Sequence, residues 1–461
     1  MEQSTEADSN GGAPRGVHDM TRGSPRSQVL RLMWFILIGM AIQTLYALVD
    51  IYWVSRLGKE AVAAVALSSN LMFVSLALTQ MLSVGCVALV SQAAGRKDHA
   101  EVQRLFNQAQ SFATCAGLVF LALGLVFERT YAERLSGDRV TAELSLTFLR
   151  AYIPALALQF VIVGIGSSLR GIGDMKPGLV AQTASVLLNL VLAPFLVFGW
   201  ISGHPLGVFG AALATLIATA AAVLGLVVYL LRGKTFLRLR AADFRPDLHT
   251  WKRMLAIGLP AGAEFFLLSL IMGTVYVVTR PFGPEAQAGY GIGSRLMQAC
   301  FMPAVAISFA VAAVVGQNYG SGAFQRVRET TLESVKLVLG FMLFFTVVCQ
   351  LCSTQLVSLF SNDPRVIDAG VGYLRVLSLG FFASGLVFVG AGVFQGLGNT
   401  WPSLLASGLR AVAFIAPVLV LSTNAGFDLY TIWWISLATV LGQLGLVQYL
   451  LRRELAARAP V

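Results

Sequence analysis

Apolar segments long enough to cross a bilayer follow one another along almost the whole chain. A transmembrane helix needs about 20 largely apolar residues, and the sequence contains twelve such runs. Because twelve is an even number, both termini are expected on the same side of the membrane. The predicted spans are residues 29–54, 61–90, 106–127, 146–169, 177–198, 207–231, 254–278, 286–315, 335–356, 373–394, 401–421 and 429–451.

The composition supports a lipid environment. Charged residues make up 12% of the chain and AVILMFWYC residues 56%, whereas soluble proteins carry about 25% charged residues. There is too little charge to coat a water-facing surface of this size. We therefore predict an all-α polytopic membrane protein that forms one unit in the bilayer, and we expect it to be a monomer.

The net charge of +10 does not indicate a nucleic-acid partner, because the basic residues lie in short clusters between apolar runs. Such clusters indicate orientation instead, since cytoplasmic loops hold the excess of Lys and Arg. We therefore predict that both termini are cytoplasmic, in the inner membrane. The basic clusters are Arg15, Arg22, Arg26 and Arg31; Arg96, Lys97 and Arg104; Arg232, Lys234, Arg238, Arg240, Arg245, Lys252 and Arg253; and Arg452, Arg453 and Arg458.

Three short motifs recur at one spacing. Val90-Ser-Gln-Ala-Ala-Gly95 returns as Val315-Gly-Gln-Asn-Tyr-Gly320, and each second copy lies 225 residues after the first. Six spans have been duplicated, and because six is even the two repeats are parallel, with substrate expected between the lobes near mid-membrane. The other two pairs are Gly171-Ile-Gly-Asp-Met-Lys-Pro177 with Gly396-Leu-Gly-Asn-Thr-Trp-Pro402, and Leu57-Gly-Lys-Glu-Ala61 with Phe282-Gly-Pro-Glu-Ala286.

The spans and repeats divide the chain into five parts. Residues 1–28 are polar and are predicted to form a disordered cytoplasmic tail. The remaining predicted parts are a first six-helix lobe at 29–231, a cytoplasmic linker at 232–253, a second six-helix lobe at 254–451 and a cytoplasmic tail at 452–461.

Several of these segments resemble the multidrug and toxic compound extrusion family. They include Leu45-Tyr-Ala-Leu-Val-Asp50-Ile-Tyr-Trp-Val-Ser-Arg-Leu-Gly58-Lys-Glu-Ala61, which is similar to its first-span signature, and Gly258-Leu-Pro-Ala-Gly-Ala-Glu264. The resemblance covers nearly all of the chain after the tail. It implies export of amphipathic, often cationic organic compounds in exchange for H⁺ or Na⁺ by rocking of the two lobes, with no further cofactor.

By this resemblance, Asp50, Asn189 and Thr215 would form the cation site of the first lobe, for a proton or a desolvated sodium ion. Asn189 alone would equally suit a hydrogen bond between helices. The sequence departs from the family at two positions. Many members carry an acid in the fifth span where this chain has Ala193, and many carry a proline early in the first span where this chain has Phe35. The predicted tenth span also lacks an acid that some members carry.

An ionisable residue inside a span costs roughly 2.5–3.5 kcal/mol and suggests a function. Asp50 and Glu264 are the two acids that clearly qualify. At 1.5 Å per residue, Glu264 lies roughly 16 Å past Arg253, near the midplane, and Asp50 lies roughly 27 Å past Leu32, in the outer part. Asp50 could instead be an interfacial carboxylate. Glu264 either exchanges a proton for a cationic substrate or forms a permanent ion pair.

Further residues are candidates for a substrate cavity. Arg295 lies well inside the eighth span and needs a partner, for which Glu264 is a candidate, and Pro260 is expected to open the seventh span near Glu264. Gln43, Tyr46, Phe265 and Tyr276 either line the cavity or pack. Three other arginines are expected near span ends, where they can snorkel: Arg150, Arg375 and Arg410.

Three other classes of function remain open. A channel or receptor would not need a duplicated pair of lobes, although the duplication alone does not exclude it. An enzyme is disfavoured because all four histidines (His18, His99, His204 and His249) lie outside the spans. The spans also contain no paired acids and no metal-ligand spacing. A flippase for a lipid-linked glycan or another lipid shares the broader fold and is the alternative. Its expected mark is a cationic cavity for a pyrophosphate.

Overall fold

A computed structural model describes residues 18–200, 203–233, 235–424 and 426–458. Within these ranges the chain forms thirteen α-helices and two short 3₁₀ turns, at Ala241–Phe244 and Arg280–Phe282. The helices are α1 (Pro25–Ser55), α2 (Lys59–Gly95), α3 (His99–Leu135), α4 (Arg139–Gly171), α5 (Lys176–Phe198), α6 (Gly207–Leu231), α7 (Leu248–Thr279), α8 (Pro284–Gly320), α9 (Phe324–Ser358), α10 (Pro364–Ser378), α11 (Phe381–Leu397), α12 (Trp401–Leu421) and α13 (Leu429–Ala457).

Eleven of these helices are long and apolar enough to span a bilayer, and α10 with α11 forms a twelfth span that is bent by 58°. The prediction of twelve spans in an all-α membrane protein is confirmed. The tenth span was predicted as one straight run at 373–394, but it breaks after Ser378. We call the side of the bundle that holds Met20 and Arg458 the terminal side and the opposite side the far side.

Side chains of α9 satisfy the backbone at the break in the tenth span. Thr346 Oγ1 donates to the carbonyl of Ser378 at 3.0 Å, and Gln350 Nε2 donates to the carbonyl of Arg375 at 2.7 Å. A broken helix is tolerated within a membrane only where neighbouring groups take up the freed hydrogen bonds. The break therefore depends on polar residues of another span.

The segment that joins the lobes is docked onto α3. Gln108 Nε2 donates to the carbonyls of Asp243 and Arg245 at 2.7 and 2.8 Å, and the amide oxygens of Gln103 and Asn107 accept backbone N–H groups of the same segment. Helix α7 already begins at Leu248, inside the predicted linker 232–253.

The predicted tails at 1–28 and 452–461 are partly ordered. Disorder does not hold for residues 18–28, because helix α1 begins at Pro25 and Met20 is fully buried. The backbone of Met20 donates to Gln317 Oε1 at 2.9 Å and accepts from Asn318 Nδ2 at 3.2 Å. Helix α13 continues to Ala457. Residues 1–17 and 459–461 of these predictions lie outside the described residues.

The beginning of each lobe's first helix packs against the other lobe. Leu32 and Met33 of α1 pack in one core with Ile307 of α8, whereas Met254 and Ile257 of α7 pack with the core of α2, α3 and α4. The terminal-side halves of α1 and α7 are thus exchanged between the lobes.

Helices α2 and α8 cross at the two copies of the Gln-x-x-Gly motif. A Cβ atom added to Gly95 would lie 2.0 Å from the carbonyl oxygen of Gln317, and one added to Gly320 would lie 2.0 Å from that of Gln92. Real Cβ atoms do not come so close to an oxygen, so only glycine allows the two backbones to meet. The two contacts are equivalent under the repeat.

The glutamines of the motif also link the lobes. Gln92 Nε2 donates to the carbonyl of Gly396 at 2.9 Å, and Gln317 Nε2 donates to the carbonyl of Gly171 at 3.0 Å. Gly171 and Gly396 belong to another of the repeated motifs. Two of the three motifs therefore meet in one pseudo-symmetric contact that closes the terminal side.

The buried part of α1 lies mainly on the terminal side. Nearly all buried residues of α1 lie between Gln28 and Gly39, on its terminal-side half. Val54 is the only buried residue further along this helix. Leu48 and Phe266, further along α1 and α7, are 63% and 65% exposed. The structure is closed on the terminal side.

We predict that Gly320→Ala weakens this closure, because the new methyl group would overlap the Gln92 carbonyl. Spin labels at the exposed repeat-related positions Ala100 and Gln325 should report a longer distance than in the wild-type protein. Gly340→Ala on α9 is the matched control, since a Cβ there meets no atom within 4 Å. Identical distance distributions for wild type and Gly320→Ala would contradict the prediction.

Candidate functional site

A polar cluster lies inside the first lobe, between α1, α5 and α6. The Tyr46 hydroxyl lies 2.8 Å from Thr215 Oγ1, and Asn189 Nδ2 donates to the same oxygen at 3.2 Å. Thr215 donates to the carbonyl of Ala211 at 3.2 Å. A hydroxyl has one donor and two acceptor positions, so the Tyr46 hydroxyl and the Asn189 amide take the two acceptor positions.

Asp50 completes this cluster. It follows Tyr46 by one turn of α1, which places both side chains on the same face of the helix, and its carboxylate interacts electrostatically with Tyr46. The structure thus brings together four residues that the sequence had singled out: Asp50, Tyr46, Asn189 and Thr215.

Two oxygens of the cluster have no hydrogen-bond partner. Asp50 Oδ1 and Asn189 Oδ1 are both buried and unpaired, although buried polar atoms are normally satisfied. Carboxylate and amide oxygens are ligands that hard cations prefer, and a proton on Asp50 would likewise supply the missing donor. The residues present fit either a proton or a sodium ion.

Tyr152 was missed by sequence reasoning. It lies on α4, packs at a tilt against Phe148 with ring centroids 4.8 Å apart, and interacts electrostatically with Asp50. A hydroxyl-bearing residue two positions before Pro154 in an apolar span was the available signal, but the interaction of Tyr152 with Asp50 on another helix could not be read from it.

The second lobe has a hydrophobic core at the corresponding place. Asp50 and Asn189 correspond, 225 residues later, to Val275 and Phe414. Both are buried in one cluster with Tyr373 and Trp433. The repeat therefore kept the scaffold while the polar chemistry of the two lobes diverged.

Glu264 lies on α7, where its side chain interacts with Ser403 of α12. Helix α7 continues without interruption past Pro260, so the expected opening of the seventh span does not occur. Arg295 is exposed, and in the described part of the chain neither Glu264 nor Arg295 belongs to an ion pair. The candidate pairing of these two residues is therefore wrong in this conformation.

The other predicted substrate residues lie apart from the cluster. Gln43 is exposed on α1, seven residues before Asp50. Phe265 and Tyr276 are 36% and 42% exposed on α7, in the second lobe, and Tyr276 packs edge-on against Tyr290 at 5.0 Å.

Two arginines inside the bundle were misjudged or missed. Arg410 was placed near a span end, but it stands at the middle of α12, and its Nε is buried without a partner. Arg170 donates to Ser83 at 2.7 Å and lies over the Phe309 ring of the other lobe at 5.3 Å. Counting residues from Trp401 would have exposed the first error.

A separate cavity of about 550 Å³ lies between α2, α3 and α4. Its lining is apolar apart from Glu128 and the Tyr131 hydroxyl, and Glu128 lies 3.5 Å from Arg150. The polar cluster at Asp50, with its unpaired oxygens, is therefore the better candidate site.

The family model described as MatE matches residues 36–195 and 260–420, which is most of the chain. The chain belongs to this family. The matched ranges include Asp50, Asn189, Glu264 and Arg410, whereas Thr215 lies outside them. The resemblance to multidrug and toxic compound extrusion transporters is confirmed, and the protein is a multi-pass membrane transporter.

Several relatives of this MatE protein are similar over most of their length. Multidrug export protein MepA of Staphylococcus saprophyticus is 27% identical over 438 residues, covering 91% of this chain and 92% of the relative. Probable multidrug resistance protein YoeA of Bacillus subtilis is 25% identical over 405 residues, covering 86% and 87%.

Solved structures share the fold of the chain. A transporter of the MOP superfamily from Pyrococcus furiosus, described as having a binding pocket of reverse polarity, has a TM-score of 0.88 at 23% identity, covering 96% of this chain and 98% of its own. An outward-facing multidrug resistance MATE transporter has the same TM-score and coverage at 22% identity.

We predict that Thr215→Val destabilises the first lobe by about 2 kcal/mol, because a buried polar group left without a partner costs about 1–3 kcal/mol. The Tyr46 hydroxyl and the Asn189 amide would both lose their shared acceptor. Thr219→Val is the control, since that hydroxyl donates only within α6, to the carbonyl of Thr215. Unfolding in detergent micelles measures the difference, and equal losses for both variants would refute this account of the cluster.

Proposed function

We propose that the chain is a secondary active efflux transporter that exports amphipathic, often cationic organic compounds in exchange for H⁺ or Na⁺. The observation that carries the proposal is the pair of buried, unpaired oxygens at Asp50 and Asn189. Family membership and the multidrug-export names of the relatives support the same substrate class. In this proposal, Asp50 and Asn189 bind the coupling cation through their unpaired oxygens, and Thr215 positions the Asn189 amide. Glu264 contributes to substrate exchange.

Alternating access is proposed from the way the lobes meet. On the terminal side they meet through glycine contacts, amide hydrogen bonds and the apolar packing of the starts of α1 and α7. Leu48 and Phe266, further along these two helices, are exposed. With the basic loops in the cytoplasm of the inner membrane, this conformation faces outwards. Rocking the lobes would separate Gly95 from Gln317 and open the cytoplasmic side.

The flippase alternative is separated from efflux by transport into inverted vesicles. A lipophilic cation should accumulate in vesicles that hold the wild-type protein and a cation gradient, whereas a lipid-linked sugar should not change leaflet. Movement of the lipid-linked sugar without uptake of the cation would favour the flippase.

We predict that Asp50→Asn abolishes cation-coupled uptake while the protein stays folded, because an amide neither takes up a proton nor binds a desolvated sodium ion as a carboxylate does. Uptake of a lipophilic cation into inverted vesicles is measured with an imposed H⁺ or Na⁺ gradient. Glu60→Gln is the matched control, since Glu60 is an exposed acid at the start of α2 whose side chain is 44% exposed. Wild-type uptake by a well-inserted Asp50→Asn variant would overturn the role of Asp50.

We predict that binding of a lipophilic cation to the purified protein releases protons, and that Glu264→Gln releases fewer. The substrate charge favours the ionised carboxylate, so apparent affinity should rise as the pH rises. Proton release is read with an indicator dye in weakly buffered solution, with Glu329→Gln, an acid on the terminal-side half of α9, as the control. Equal release from wild type and Glu264→Gln would exclude Glu264 as the exchanging group.

A further inference from the structure

The second lobe contains an arginine that its own residues do not neutralise. Arg410 stands at the middle of α12, a helix of 21 residues. It follows Ser403 and Ser407 and precedes Phe414 at intervals of three or four residues, so it shares their helix face. Ser403 and Phe414 are buried, and this face therefore points into the lobe.

The two edges of its guanidinium group have different surroundings. Nη1 donates to Gln443 Oε1 of α13 over a long 3.4 Å, and Gln443 Nε2 in turn donates to Ser407 Oγ at 3.2 Å. Nε is buried and has no partner, and none of the described residues accepts a hydrogen bond from Nη2. The edge formed by Nε and Nη2 is free.

No carboxylate of the described residues pairs with Arg410. Glu264 interacts with Ser403, which precedes Arg410 by seven residues and hence by roughly 10 Å along α12. Arg295 of α8 adds a second unpaired cation to the lobe. The Tyr373 phenol is the other group that interacts electrostatically with Arg410. The spans of the second lobe thus contain a positive site without a carboxylate partner among the described residues.

We propose that the free edge of Arg410, supported by Gln443 and Tyr373, binds the carboxylate of a zwitterionic amphiphilic substrate. The parallel N–H groups of a guanidinium edge match the two oxygens of a carboxylate, and one negative charge balances the one positive charge. The proposal rests on the proposed efflux function, because it names a substrate class for the same transporter.

The test compares two ligands that differ in one group: a zwitterionic rhodamine with a free benzoic acid and the methyl ester of the same dye. Binding to the purified protein in lipid nanodiscs is measured by fluorescence polarisation. Arg410→Gln should weaken binding of the acid by about ten-fold or more and leave the ester unchanged, since hydrogen bonds to charged groups contribute that much. Arg410→Lys should bind the acid with an affinity between those of the wild type and Arg410→Gln, because an ammonium keeps the charge but lacks the two parallel N–H donors of a guanidinium.

A second variant keeps the test independent of any folding defect. Gln443→Glu would place a carboxylate beside the guanidinium, so it should also weaken binding of the acid alone. Arg150→Gln is the control, because that arginine is 63% exposed and belongs to the first lobe. An unchanged ratio of acid to ester affinity in both Arg410→Gln and Gln443→Glu, or failure of the wild type to bind the acid, overturns the proposal. Binding is measured without transport, so a failure of coupled efflux in Asp50→Asn experiments would be recognised separately.

Discussion

The close crossing of α2 and α8 is the constraint on which the arrangement of the two lobes depends. Gly95 and Gly320 each face the backbone of a glutamine from the other lobe, and neither position has room for a methyl group. This allows Gln92 and Gln317 to reach carbonyls at the helix ends of the opposite lobe. Small residues are the usual means of close helix packing in a membrane, where burial of apolar surface gives no net drive for association.

Such a contact is compatible with the proposed opening of the interface. It consists of backbone approach and a few neutral hydrogen bonds, without an ion pair among the residues just described, so separation would strand no buried charge. The ordered segment at Met20 adds backbone hydrogen bonds to Gln317 and Asn318 on the same side. The tail is therefore part of the closed side.

Duplication preserved closure but not chemistry. The motif residues that close the terminal side are equivalent in both lobes, whereas Asp50 and Asn189 correspond to Val275 and Phe414. In the other direction, Glu264 and Arg410 correspond to Gly39 and Ser185. Closure of the terminal side needs both halves of a symmetric contact, so the motif residues have to be kept in both lobes. A buried charge costs roughly 2.5–3.5 kcal/mol in a span, which disfavours a second copy of a site where one is enough.

The sequence by itself determined the twelve spans, the duplication and the positions of Asp50, Asn189, Thr215 and Glu264, because hydropathy, repeat spacing and rare ionisable residues are properties of the chain alone. Only the tertiary structure decided which side chains meet: Tyr46 with Thr215, Glu264 with Ser403 instead of Arg295, and Arg410 with Gln443. These partners lie on helices far apart in sequence, and the rotation of each helix about its axis is set by packing against its neighbours. The break between α10 and α11 belongs with them, since it is stable only because Thr346 and Gln350 of α9 lie beside it.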